Sequence, residues 1–293
     1  KQQEGSADGS SSPGWVTFLS AIIESGIQIV GTIPARTERA DRLIGKNANK
    51  LSTSIVLICR KREEKESIRG TEFIKKIRKE LTPAVSTLQE SGISPVDLAQ
   101  AAIGPGMAIF SKYNSVLEVD GSNMGVRRAL EIINEELSII LGETDDEIDT
   151  ESRVCLRWFN SFGEDARVYG ELDSLLKSIN ASPATIEKSG CMIFSKGKVR
   201  IADIESYPPS FNPKDAGNAP TWAHVHRLIR LLDVKGESEA AAYMRHIPSH
   251  QRDSVRSLTY RLYQICDEKK MMGHAKNYNT LAIAWGQVAD RSQ

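Results

Sequence analysis

The chain has no excess of charge of either sign: 38 lysines and arginines stand against 38 aspartates and glutamates in 293 residues. That balance neither demands nor excludes a nucleic-acid partner. No apolar run approaches the roughly 20 residues needed to span a bilayer, so no membrane partner is expected and a cytoplasmic location is. The four cysteines, Cys59, Cys155, Cys191 and Cys266, are widely spaced, with no C-x-x-C pair. This argues against a zinc ribbon and for reduced thiols. There is no G-x-G-x-x-G and no Walker-type loop. The nearest candidate, Gly104-Pro105-Gly106, follows a helical stretch (95–103) rather than a strand, and reads as a helix C-cap and turn, not a phosphate nest. No repeat at a solenoid period occurs. Residues 1–14 are polar and rich in glycine and serine, without the pattern of a signal peptide, and are expected to be disordered or a cut end.

What is present begins with residues 15–62. Trp15, Phe18, Leu19, Ile22 and Ile23 recur at helical spacing, and Gly26 is placed as a C-cap. Residues 27–33 form a β-rich run stopped by Pro34. Residues 53–59 (TSIVLIC) are continuously apolar, as in a strand covered on both faces, and Arg60, Lys61 and Arg62 end it. Helix, strand, strand reads as the closing piece of an α/β sheet, whose ligand-binding turns belong to earlier strands.

The segments GWVTFLSAIIESGIQIVGTIPARTE and NKLSTSIVLICRKR resemble the end of the catalytic core of amino-methylating DNA methyltransferases, in particular adenine-specific DNA methylases that begin with a domain of unknown function. The matching positions are Trp15, Pro34, Thr37, Glu38 and the run Cys59, Arg60, Lys61, Arg62. Residues 93–107, 258–270 and 278–285 are similar to that family's C-terminal region. The resemblance implies an S-adenosylmethionine-dependent adenine-N6 methyltransferase associated with phage defence, acting on double-stranded DNA. It also implies a Gly-rich turn for the cofactor and an Asp/Asn/Ser-Pro-Pro-aromatic tetrapeptide that orients a flipped base. Neither is in this chain. Its one Pro-Pro, in Tyr207-Pro208-Pro209-Ser210, has the order reversed and reads as a linker in a polar loop. The cofactor would be bound by an upstream region of the parent, and this chain alone is expected to be inactive.

The expected fold class is α+β and mostly helical: the end of a Rossmann-like sheet (15–62), a helical region (63–142), a small winged-helix-like unit (143–210) and a helical bundle (211–293). The charged stretch 63–69 marks the end of the sheet. Ile74, Ile77, Leu81 and Leu88 line a helix that Pro83 is expected to kink. Ser94-Pro95-Val96-Asp97 has the residues of a helix start, and Val126, Leu130, Ile133, Leu137 and Ile140 form a further stripe. The acidic run 144–151 lacks the glycine and terminal glutamate of a calcium loop and reads as a solvated linker and helix N-terminus. His224 and His226 lie two apart on one helix, so they do not share a face for a metal. Arg227 and Arg230 read as surface charges. The bundle stripes are Val225, Leu228, Ile229 and Leu232, then Leu258, Leu262, Ile265 and Cys266, then Leu281 and Trp285.

Within residues 169–204 the pattern gives helix, turn, helix and a hairpin around Lys196-Gly197-Lys198. If this unit binds DNA, Lys188, Lys196, Lys198 and Arg200 would contact phosphates; otherwise it is a packing module that happens to carry lysines. Arg60, Lys61 and Arg62 would meet the DNA backbone, or simply terminate a strand with charge. Two functions therefore stand side by side: the tail of a DNA methyltransferase, or a non-catalytic DNA-binding or scaffold subunit of a defence complex with protein partners.

Overall fold

The computed structural model describes residues 13–36, 53–63, 66–143 and 148–292. The expectations for residues 1–12, for Thr37 and Glu38, and for the acids at 144–147 lie outside them. The chain is α+β and mostly helical. It divides into two compact units, 1–140 and 141–293.

In the first unit, helix α1 (Pro13–Glu24) ends at Gly26, whose φ is +79°. Strand β1 (Ile27–Arg36) pairs antiparallel with β2 (Thr53–Lys61). β1 runs through Pro34, opposite Ile55, instead of stopping there. A strand paired on one side only, as β1 is among the described residues, tolerates a missing N–H. The register slips between Ile29 and Gly31, leaving Val30 as the extra residue of a bulge. Residues 63–69 are more than a charged boundary: β3 (Ser67–Arg69) pairs parallel with β4 (Ser115–Leu117).

Helix α2 (Gly70–Glu90) continues through Pro83, which is exposed on the solvent side. Its buried face is Phe73, Ile77, Leu81 and Val85; Ile74 and Leu88 sit at the margin. Helix α3 (Pro95–Lys112) starts where Ser94 and Pro95 place it, with the Ser94 hydroxyl bonded to the Asp97 carboxylate. It does not end at residue 103. Gly104-Pro105-Gly106 lies inside it, and the reason is packing on both sides. A Cβ on Gly104 would lie 2.0 Å from Thr32 Oγ1 of β1, and one on Gly106 would lie 2.5 Å from Ile133. Ile133 belongs to α4 (Val126–Glu143), whose stripe is buried as its spacing implies. Pro105 removes the N–H that would reach Ala101 O four residues back. Thr32 Oγ1 donates to that carbonyl instead, at 3.3 Å. Arg78 of α2 clamps the buried Glu136 of α4 with two bonds of 2.7 and 3.0 Å.

In the second unit, α5 (Thr150–Phe162) precedes β5 (Arg167–Val168), α6 (Tyr169–Ile179) and α7 (Pro183–Ser189). The hairpin β6 (Met192–Ser195) and β7 (Lys198–Ile201) follows, and the sheet order is β5-β7-β6. The short α8 (Pro213–Ala216) leads to α9 (Thr221–Lys235), α10 (Glu237–Met244), α11 (Ser249–Glu268) and α12 (Met272–Arg291). Asp149 is at the helix N-terminus expected of the acidic run, and it does more than end a linker. Its carboxylate accepts from Ser152 N at the start of α5 and from Thr221 N at the start of α9, both at 2.8 Å. Ser152 Oγ accepts from Trp222 N at 2.7 Å. One Asp-Ser pair thus caps two helices. None of the described helices is long and apolar enough to cross a membrane.

Candidate nucleic-acid interface

The hairpin β6–β7 turns in two residues. Lys196 has φ +49° and Gly197 φ +75°, the signs of a type I′ turn, whose twist matches that of the flanking strands. Met192, Val199 and Ile201 root the hairpin in the core, each at most 4% exposed, while Lys196 and Lys198 stand in solvent. Helix α7 is held by one buried side chain, Ile186, and Lys188 is on its exposed surface. Arg200 is half-buried and engaged: Nη1 donates to Asp203 Oδ2 at 2.9 Å and to Ile201 O at 3.1 Å. That pair, with the Ser206 hydroxyl as the larger cause, holds the Asp203 carboxyl below its usual range.

The basic run after β2 divides differently. Arg62 Nη2 donates to Ile23 O and Nε to Ser111 O, each at 2.8 Å. Both carbonyls belong to last turns, of α1 and α3, where a cation meets the negative end of the helix dipole. Arg62 therefore fastens two helices to the hairpin. Arg60 Nε donates to Gln28 Oε1 at 3.2 Å across the pair of strands. Lys61 is exposed. The sheet is also covered on one face only among the described residues. Leu57 and Thr32 turn toward α3, while Ile33, Val56 and Ile58 on the opposite face are 53, 49 and 42% exposed. The continuous apolar run was expected to be covered on both faces.

Beneath the β5-β7-β6 sheet is a buried polar cluster. Cys155 of α5 and Cys191, just before β6, are 36 positions apart in sequence yet near enough for each thiol to shift the other's proton affinity, with Tyr207 buried beside Cys191. The neighbouring Cys155 thiol holds the Cys191 thiol below its ordinary value, while burial pushes Cys155 and Tyr207 up. Tyr207 is thus no free linker residue: it is 5% exposed and its ring stacks on His226 at 5.8 Å. The two histidines face different helices. His224 Nδ1 meets the Tyr243 hydroxyl of α10 at 2.8 Å. His226 Nδ1 lies 2.8 Å from Trp222 O, and Nε2 is 3.0 Å from the Tyr278 hydroxyl of α12. A carbonyl only accepts, so Nδ1 of His226 carries the proton and Nε2 accepts from Tyr278. Arg227 lies over the Tyr243 ring at 5.6 Å, and Arg230 is half-buried, 3.9 Å from Asp233; neither is a simple surface charge.

No group of three potential metal ligands occurs among the described residues. Among the described residues, Tyr207 of Tyr207-Pro208-Pro209-Ser210 stacks its ring on His226, and Gly104-Pro105-Gly106 packs its bare Cα atoms against Thr32 and Ile133, so neither is shaped to hold S-adenosylmethionine. Native thiols should fall into two classes. Cys59 is exposed, the other three are buried, and burial pushes Cys266 up to about 12. A thiol-reactive disulfide reagent at neutral pH should therefore titrate one cysteine at once, and the remaining three only as the second unit opens. Rapid reaction of a second thiol would contradict the burial.

The sheet and bundle make the second unit an α+β module in its own right. Residues 149–293 match the model of a family described as a domain of unknown function, DUF8807. The match begins at Asp149, the residue that caps both α5 and α9. No curated protein and no solved structure matches the chain.

Proposed function

We propose that the chain is the C-terminal part of a site-specific, S-adenosylmethionine-dependent DNA adenine-N6 methyltransferase of a phage-defence system. In this reading β1 and β2 are the last strands of a Rossmann-like sheet whose catalytic strands, with the cofactor turn and the base-orienting tetrapeptide, lie in the preceding region of the parent. Residues 143–210, with their order helix, strand, helix, helix and hairpin, are a winged-helix-like DNA-contacting module, and 211–293 are a helical bundle that supports it.

The observation that carries the reading is the open apolar face of the hairpin. Ile33, Val56 and Ile58 stand side by side on it, with Val30 in the adjoining bulge. An exposed β-branched surface on a sheet that has two strands among the described residues is both a solubility and an aggregation hazard. Sheet-packed helices and neighbouring strands would cover it in a complete α/β core. The residue resemblance from Trp15 to Arg62 falls on this same hairpin and its supporting helix.

The test is to read the coding frame that contains this chain for a Gly-rich turn and an Asp/Asn/Ser-Pro-Pro-aromatic motif. The whole product is then assayed for transfer of labelled methyl groups to DNA. Both motifs and N6-methyladenine in the product are expected. A frame without them, or a whole product that transfers no methyl group, overturns the enzyme and leaves the scaffold subunit.

A further inference from the structure

We propose that Lys196 and Lys198 at the hairpin tip, with Lys188 on α7, form a sequence-independent grip on the phosphates of double-stranded DNA. The inference deepens the function proposed above and rests on its DNA-acting part, though not on methyl transfer.

Three observations bear on these lysines, the second and third on the hairpin tip alone. The first is pairing. Arg167 is bound to Asp165 at 3.3 Å, Lys177 to Asp173 at 2.7 Å and Arg200 to Asp203 at 2.9 Å. Lys188, Lys196 and Lys198 carry no ion pair among the described residues, so no carboxylate has to be displaced before a phosphate can bind. The second is local charge. Residues 191–202 hold Lys196, Lys198 and Arg200 and no acid, in a chain whose total charge is zero. The third is rigidity. Lys196 holds a left-handed backbone conformation that residues with a Cβ seldom adopt. It does so because a two-residue turn between rooted strands requires it, and β5 braces β7 from the side opposite β6. The tip is therefore a fixed prong, and little chain entropy is lost when it meets a partner.

Ammonium groups that neutralise phosphates release counterions, so each contact adds about 0.9 to the slope of log affinity against log salt. Three contacts account for roughly 2.7 of that slope. Such contacts fix position on the duplex without reading bases.

The experiment measures binding of the full chain to a short fluorescent DNA duplex across a salt series, without methyl donor. The triple variant Lys188→Ala, Lys196→Asn, Lys198→Ala should lose between about 2 and 3 of the slope and at least about tenfold in affinity near 0.1 M salt. Asparagine is chosen at 196 because it tolerates positive φ. A control variant, Lys214→Ala, Lys235→Ala, Lys276→Ala, removes the same charge from exposed positions elsewhere in the unit and should keep the wild-type slope. Circular dichroism of both variants should match the wild type. The grip is overturned if the wild type ignores duplex DNA at low salt, if the triple variant keeps its slope, if the control loses as much, or if single-stranded RNA of equal length binds more tightly. Binding is read without chemistry, so a grip that passes in a frame lacking catalytic motifs survives the loss of the enzyme.

Discussion

Lowering the pH from 7 toward 4 should unfold the second unit. All five histidines of the chain lie within it, and two are buried as neutral rings. Burial pulls both His224 and His226 down from the ordinary 6.5 to about 4. The sign follows from proton counting. Between pH 6.5 and 4 the unfolded chain binds a proton at each ring that the folded unit refuses, so stability is present above 6.5 and is lost as pH falls through that window. A shift of this size is worth about 3 kcal/mol per ring, and two rings rival the whole stability of many domains. Where both rings titrate, the slope of unfolding free energy against pH should approach about 3 kcal/mol per unit, two protons at about 1.4 each. Denaturant titrations at stepped pH measure it, and Trp222, stacked on His226 at 4.5 Å, supplies a fluorescence signal. His226→Asn retains a donor for Trp222 O but has nothing to titrate. It should be less stable at pH 7 and lose about half the slope. Stability that stays flat from pH 7 to 4.5 would mean that the rings are neither buried nor neutral as described.

These rings show where sequence and structure part. Their spacing correctly kept them off a shared face, because periodicity along a helix is local information. Their partners, Tyr243 and Tyr278, are 19 and 52 residues away, and no local pattern announces such a pairing. The same division runs through the molecule. The stripe of α4, the Ser94-Pro95 start of α3, the Gly26 terminus and the hairpin around Lys196 were legible, since each depends on a few neighbouring residues. The acidic run gives a linker and a helix N-terminus, and Asp149 is that N-terminus; its second cap is hidden because the other helix begins at residue 221. The meeting of Cys155 with Cys191 was hidden by the same kind of distance. Of the seven basic residues proposed for DNA, Arg60, Lys61, Lys188, Lys196 and Lys198 are exposed, Arg60 with a partner. Arg62 is drawn into helix termini and Arg200 into an ion pair, while Arg60 bonds to Gln28. A guanidinium satisfies several acceptors in fixed geometry and a lysine does not, and this separates the two residue types here.

Gly104→Ala should weaken the first unit substantially, although alanine is the better helix former. In an open helix the change gains about 1 kcal/mol of propensity. Here the new methyl would lie 2.0 Å from Thr32 Oγ1, 2.4 Å from Cγ2 and 2.6 Å from Cβ. Thr32 is β-branched and anchored in a paired strand, so the last of these cannot be relieved by a rotamer change. Overpacking costs about 1–3 kcal/mol. Pushing α3 away from β1 also strains the bond from Thr32 Oγ1 to Ala101 O, the carbonyl that Pro105 leaves without its helical donor, and an unmet acceptor costs about 1–3 kcal/mol more. The losses outweigh the propensity, and a net drop of about 3 kcal/mol is expected. Gly106→Ala tests the other side of the helix. Its methyl would meet Ile133 Cδ1 and Cγ1 at 2.5 Å, and Ile133→Ala removes both atoms. The double variant Gly106→Ala, Ile133→Ala should therefore be more stable than the sum of its single changes implies, with a coupling of about 1 kcal/mol or more. Chemical unfolding, followed separately by signals from each unit, measures all of this. The second unit's transition should stay in place while that of the first moves. A Gly104→Ala chain as stable as the wild type would show that α3 does not press against β1. It would return Gly104-Pro105-Gly106 to the exposed turn that its sequence alone suggests.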